Sequence, residues 1–156
     1  MKRFKKAKKN NKGFSLVELI VVIAIMAVLV GVLAPTLIGN IEKSRESKDL
    51  QNLDSIRQAV VTAMSDESVY SSTVPTSGSV TVASGAAGSN LTFAGYNSLS
   101  TEFATIITSD TKMTSKSGTS GTLEIRVQST GAVEVGVYNG GTTVSAAKNK
   151  VSMVSK

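Results

Sequence analysis

Apolar residues are spaced differently in three successive stretches of the chain. From Leu19 to Ala34, sixteen consecutive positions carry no polar side chain, and apolar residues resume past Pro35 at Leu37, Ile38 and Ile41. Phe14 to Ile41 is 28 residues, or about 42 Å of helix, where about 20 apolar residues suffice to cross a bilayer. A buried core helix of this kind needs a larger core than the rest of the chain can build, so the pattern predicts membrane insertion. Beyond Ile41 the pattern becomes one-sided. Leu50, Leu53, Ile56, Val60, Ala63 and Met64 recur at three- and four-residue steps, while Glu42, Arg45, Glu46, Lys48, Asp49, Asp54 and Arg57 fill the remaining face. Arg45 and Asp49 are spaced for an i,i+4 pair, Asp54 and Arg57 for i,i+3. One helix from about Ser15 to Ser65, about 75 Å long, is expected. Its first half must be surrounded by lipid or by copies of itself, and its second half covered by the rest of its own chain.

The third stretch, Ser65–Lys156, is rich in hydroxyls and glycine: 42 of its 92 residues are Ser, Thr or Gly. That composition disfavours long helices and suits strands, turns and loops. Val69–Val74 and Ser79–Ala83 read as short strands or extended loop, and Leu99–Ser109 fits either a short helix or a strand. The strongest pattern is a hairpin of Thr122–Gln128 with Ala132–Tyr138, in which Leu123, Ile125 and Val127 alternate with Glu124, Arg126 and Gln128, and Val133, Val135 and Val137 alternate with Glu134 and Gly136. A three-residue loop, Ser129-Thr130-Gly131 with Gly left-handed, pairs Val127 with Val133, Ile125 with Val135 and Arg126 with Glu134. A two-residue loop mismatches the faces, so the register is specified. The apolar face is expected on the Leu53/Ile56/Val60 stripe, with Val144 and Val151–Val154 adding a last strand. Gly85–Gly88, Ser115–Gly121 and Gly140–Thr143 read as loops. The fold class is therefore α+β: a long N-terminal helix, apolar and then amphipathic, packed on a small antiparallel sheet. The expected divisions are 1–13, 14–41, 42–67 and 68–156.

Charge sharpens the picture. The chain carries 17 Lys+Arg against 11 Asp+Glu, but seven of the basic residues (Lys2, Arg3, Lys5, Lys6, Lys8, Lys9, Lys12) precede Gly13, leaving 10 against 11 after it. The basic flank holds the N-terminus in the cytoplasm and sends the remainder across the membrane. Without the flank no basic surface for nucleic acid is evident. A conventional secretory signal shares this charge order, but its nearest cleavage site, Val32-Leu33-Ala34, is followed by Pro35, which obstructs it. There is no Cys and no His, which removes thiolate chemistry, the commonest general base and the commonest zinc ligand. No Walker or GxGxxG motif is present, and no Ser has a His or a placed Lys as base. Asp66-Glu67 reads as a solvated helix end. No catalytic residue, metal site or cofactor is expected.

Glu18 stands apart, as a carboxylate five residues into the apolar segment. It either lies near the headgroups, where it costs little, or has a cationic partner. A cut between Gly13 and Phe14 creates one, the new α-amino group. Lys12-Gly13-Phe14-Ser15-Leu16-Val17-Glu18-Leu19, followed by a long apolar helix, closely resembles the class III signal of type IV pilins and their pseudopilin relatives. The resemblance covers about the first 45 residues. It implies a membrane prepilin peptidase cleaving after Gly13 and methylating the Phe14 amine, and it implies Glu18 pairing with the Phe14 amine of a neighbouring subunit during assembly. Missing the Gly13 Cβ lets the peptidase approach the backbone. A charge pair in hydrocarbon is favourable only when both members meet, so the contact sets register. Gly31, Pro35 and Gly39 mark a weak stretch of helix, read either as a tolerated membrane kink or, in the family, as a segment that unwinds on assembly.

The resemblance implies a homopolymeric filament subunit, assembled by a membrane platform that a separate ATPase drives. The precursor is expected as a single-pass protein of the cytoplasmic membrane and the mature chain on the cell surface. The lack of Cys together with the 13-residue basic leader fits a Gram-positive, clostridial-type pilin better than a Gram-negative one, whose C-terminal region a disulfide commonly closes. Three roles follow: the major subunit of a type IV pilus serving adhesion, aggregation or motility; a pseudopilin of a type II secretion or competence DNA-uptake machine; and, from a different class, a monomeric membrane-anchored binding domain.

Overall fold

The computed structural model describes residues 13–87, 89–107, 111–146 and 152–156. The basic leader up to Lys12 and Val151, which the last expected strand included, lie outside the described residues. Two compact units emerge, Met1–Ile38 and Gly39–Lys156. The helix α1 (Leu16–Ala63) contributes to both and runs through Pro35 as continuous helix.

In the first unit the helix has no covered side. Large apolar side chains from Leu16 to Ile38 are between 47% and 72% exposed. The segment is long and apolar enough to cross a membrane.

The second unit is a helix-on-sheet layer. Leu53, Ile56, Ala59, Val60 and Ala63 of α1 share one core with the inward residues of the sheet, as the three- and four-residue spacing requires. Strands β1 (Ser79–Ala86), β2 (Thr122–Gln128), β3 (Val133–Asn139) and β4 (Thr142–Thr143) lie side by side in chain order, and β5 (Val154–Ser155) also pairs with β3. All the pairings are antiparallel. The β2–β3 register is the expected one: Val127 faces Val133, Ile125 faces Val135 and Arg126 faces Glu134. Gly131, at φ +80°, takes the left-handed position of the connection. Leu123, Ile125, Val127, Val135 and Val137 are fully buried. On the opposite face the Arg126 guanidinium lies 3.7 Å from the centre of the Tyr138 ring and bonds Glu124 at 2.7 Å. Burial, reinforced by the nearby Glu134 carboxylate, pushes the Tyr138 phenol up to about 12.

Several expected elements differ. Val69–Val74, read as strand or loop, falls largely in a helix, α2 (Glu67–Thr73). Asp66 decides it by capping the helix: its Oδ1 accepts from the Ser68 N–H at 2.8 Å and the Ser68 hydroxyl at 2.6 Å. Those bonds hold its carboxyl below the ordinary value. Strand β1 continues through Gly85 and Ala86, expected as loop, because they pair with Leu123 and Thr122. The ambiguous Leu99–Ser109 stretch contains a helix, α3 (Asn97–Ile106), which buries Leu99 and Phe103 one turn apart; Thr108 and Ser109 lie outside the described residues. Of the expected Gly140–Thr143 loop, Thr142 and Thr143 fold back on Asn139 and Tyr138 as β4. The first helix ends at Ala63, a little short of the expected Ser65.

This layering predicts that a fragment Gly39–Lys156 is soluble, monomeric and cooperative in urea. In that fragment Ile125→Ala is expected to lower unfolding free energy by about 2–5 kcal/mol, measured by equilibrium urea unfolding.

Candidate functional site

The segment expected to be processed comes first in the chain. Gly13 and Phe14 precede the helix, Phe14 is 92% exposed, and a Cβ built on Gly13 meets nothing within 4 Å. The peptide bond between them thus lies in exposed backbone outside the helix. Ser15 then starts the helix. Its N–H donates to Glu18 Oε2 at 2.9 Å and its hydroxyl oxygen accepts from the Val17 N–H at 3.4 Å. This is half of a capping box: Glu18 reaches back to the Ser15 N–H, while the Ser15 hydroxyl takes the N–H of Val17 rather than that of Glu18. A carboxylate in the first turn is also favoured by the helix dipole. Glu18 is therefore held by its own chain, an arrangement that the Ser-x-x-Glu spacing of Ser15 and Glu18 encodes but that the sequence analysis did not use. Gly31 and Gly39 flank Pro35 within α1, with open space around both.

A second constellation lies on the amphipathic half of α1. Glu42, Glu46 and Asp49 recur at i, i+4 and i+7 and so share a face. They were expected among solvent-facing residues; instead Glu46 and Asp49 are completely buried. The segment 114–117 lies against them. Asp49 accepts from the Thr114 N–H at 2.9 Å, the Thr114 hydroxyl at 3.1 Å, the Ser115 N–H at 2.7 Å and the Ser115 hydroxyl at 2.6 Å. Glu46 Oε1 accepts from the Ser117 hydroxyl at 2.9 Å, and Glu42 Oε1 from the Lys116 N–H. A buried carboxylate is tolerable only when its lone pairs are filled in this way. Gly118 is required for the close approach, since a Cβ there would stand 2.4 Å from Asp49 Oδ2. The expected Arg45–Asp49 pair is displaced: Arg45 instead stands 3.8 Å from Glu42. Asp54 and Arg57 do pair, at 3.2 Å. Both hold the C-terminal strand, because Ser155 Oγ donates to Asp54 Oδ1 and accepts from Arg57 Nε, each at 3.0 Å.

The N-terminal segment matches a known family model. Residues 8–34 fit the prokaryotic N-terminal methylation motif. Over these residues the chain carries the signal found in type IV pilin-like proteins. Among curated proteins it is homologous to type II secretion system core protein G of Vibrio cholerae serotype O1, with 35% identity over 68 residues, 44% of this chain and 47% of that protein. The same protein of Pectobacterium carotovorum subsp. carotovorum is 37% identical over 64 residues, 41% of each. The chain thus spans less than half the length of these relatives. No solved structure gives a significant match.

Two outcomes follow for the pilin-like fold. Asp49→Ala leaves the Ser115 and Thr114 donors without their acceptor, and is expected to cost about 2–4 kcal/mol given about 1–3 kcal/mol per orphaned buried group, with hydrogen exchange accelerated first at residues 114–118. Asp54 is held below its ordinary 3.8, chiefly by the Ser155 hydroxyl and then by Arg57. Its stabilisation is therefore complete at neutral pH and is lost as pH falls past 3.8 through the folded value. Thermal unfolding of the parent and Asp54→Asn between neutral and acid pH should converge at the acid end.

Proposed function

We propose that the chain is a non-catalytic filament subunit, made as a membrane precursor, cut after Gly13, N-methylated on Phe14 and polymerised through residues 14–41 into a type IV pilus. The observation that carries this reading is the conjunction of an accessible Gly13–Phe14 bond, an acidic residue at the fifth mature position and a helix exposed on every side. Removal of residues 1–13 leaves an amine at Phe14, the one new cation in an apolar environment where Glu18 is the available anion. Packing the half-helices together replaces lipid by protein around each of them, and the hydroxyl-rich second unit forms the outside of the fibre. Prepilin peptidase, an assembly platform and its ATPase are the partners this role requires. Adhesion, aggregation and motility are the uses of such a surface fibre.

A second reading, a pseudopilin of a type II secretion machine, is favoured by one specific observation: both curated relatives carry that name. The two differ in where the processed chain accumulates. Intact-mass and N-terminal peptide spectrometry of material sheared from cells should give a dominant chain starting at N-methylated Phe14 for a pilus. The same processed chain confined to membranes would replace the pilus by the pseudopilin. An uncut N-terminus would overturn both and leave a membrane-anchored binding domain. Glu18→Ala is expected to remove filaments while leaving cleavage intact, checked by electron microscopy beside the same spectrometry; normal piliation by that variant would remove the assembly role of Glu18.

A further inference from the structure

Between Glu42 and Asp49 the sequence holds three acidic and three basic residues, which by count is a neutral segment. The structure sorts them. Glu46 and Asp49 are turned inward and filled by donors from residues 114–117, and the Glu42 side chain is 20% exposed against 56% for Arg45. Lys43 and Lys48 are exposed as well. The bond from the Lys116 N–H to Glu42 brings a further exposed lysine, Lys116, to the same level of the helix. Cations therefore face outward and carboxylates inward around one short length of α1.

Its position in the chain names the partner. Arg45 and Lys48 follow Ile41, the last residue of the apolar stretch, by four and seven positions, about 6 and 10 Å of helix. The headgroup layer beyond the hydrocarbon is about 5–8 Å deep on each side, and long basic side chains reach back toward it along their own stems. We propose that Arg45, Lys48 and Lys116 form a collar that binds the phosphates of anionic lipids in the leaflet across which the second unit is exported. The collar seats the subunit in the bilayer, and it rests on the reading of residues 14–41 as a membrane span. Burying Glu46 and Asp49 is what allows it, because the same acids on the surface would repel those phosphates.

The chain has no Cys, so a single nitroxide at Ser44→Cys reports this level of the helix in the full-length precursor. Its accessibility to a neutral water-soluble relaxant is compared in vesicles of phosphatidylcholine and in vesicles with about one third phosphatidylglycerol, where accessibility should fall about twofold. Raising salt from about 0.1 to about 1 M shortens the screening length from about 10 to about 3 Å and should restore it. The triple variant Arg45→Gln, Lys48→Gln, Lys116→Gln, which leaves the basic leader intact, should lose the lipid dependence, and Lys48→Arg alone should keep it. Circular dichroism verifies that each variant is folded. Equal accessibility in the two lipids, or a lipid dependence that survives in the triple variant, would overturn the collar. Failure to float with phosphatidylcholine vesicles would instead overturn the span reading beneath it.

Discussion

A helix that is apolar around its whole circumference cannot be left in water, and nothing else about this chain is as demanding. Residues 14–38 are exposed throughout, and the core of the second unit begins with Leu53, with Leu50 packed beside it. The apolar surface must therefore be covered from outside, by hydrocarbon or by other apolar helices. Few polar groups can be afforded there. Glu18 is the one charged residue there, and its capping bond to the Ser15 N–H gives the carboxylate a partner at the start of the helix without any second molecule.

The second unit obeys the opposite constraint. Its helix needs one covered face and receives it from a sheet whose inner residues are fully buried, while the charged residues of the same helix are divided between inside and outside. Two tethers do the dividing. The segment 114–117 fills Asp49 and Glu46, and the C-terminal strand reaches Asp54 and Arg57 through Ser155. Both tethers join residues far apart in the chain, so they hold the layers together as well as satisfying the acids.

Legibility in the sequence followed the range of the interactions. The β2–β3 register was readable because strict alternation and a three-residue loop ending at Gly131 leave one arrangement that keeps the faces matched. The apolar stripe of α1 and the processing motif were readable for the same reason, since each is written in neighbouring residues. Val69 and Tyr70 were misread because their strand preference is real but weaker than the Asp66 cap that starts α2. Burial of Glu46 and Asp49 was not readable at all. A charged helical residue is ordinarily exposed, and the donors that reverse this lie 65 or more positions away. The Ser15–Glu18 bond is local by contrast, written in the Ser-x-x-Glu spacing.

The way residues 114–116 are held has a consequence for how this protein can diverge. Each of the three donates its main-chain N–H to a carboxylate of α1, and Gly118 fits because it has no side chain to place. The main-chain part of that anchorage uses atoms that every residue except proline possesses. A change of the exposed Lys116 side chain therefore alters the charge at this spot without moving the backbone beneath it, whereas Thr114 and Ser115 also bond Asp49 through their hydroxyls. Descendants of this chain can acquire a new outward face at this spot without first acquiring a new fold.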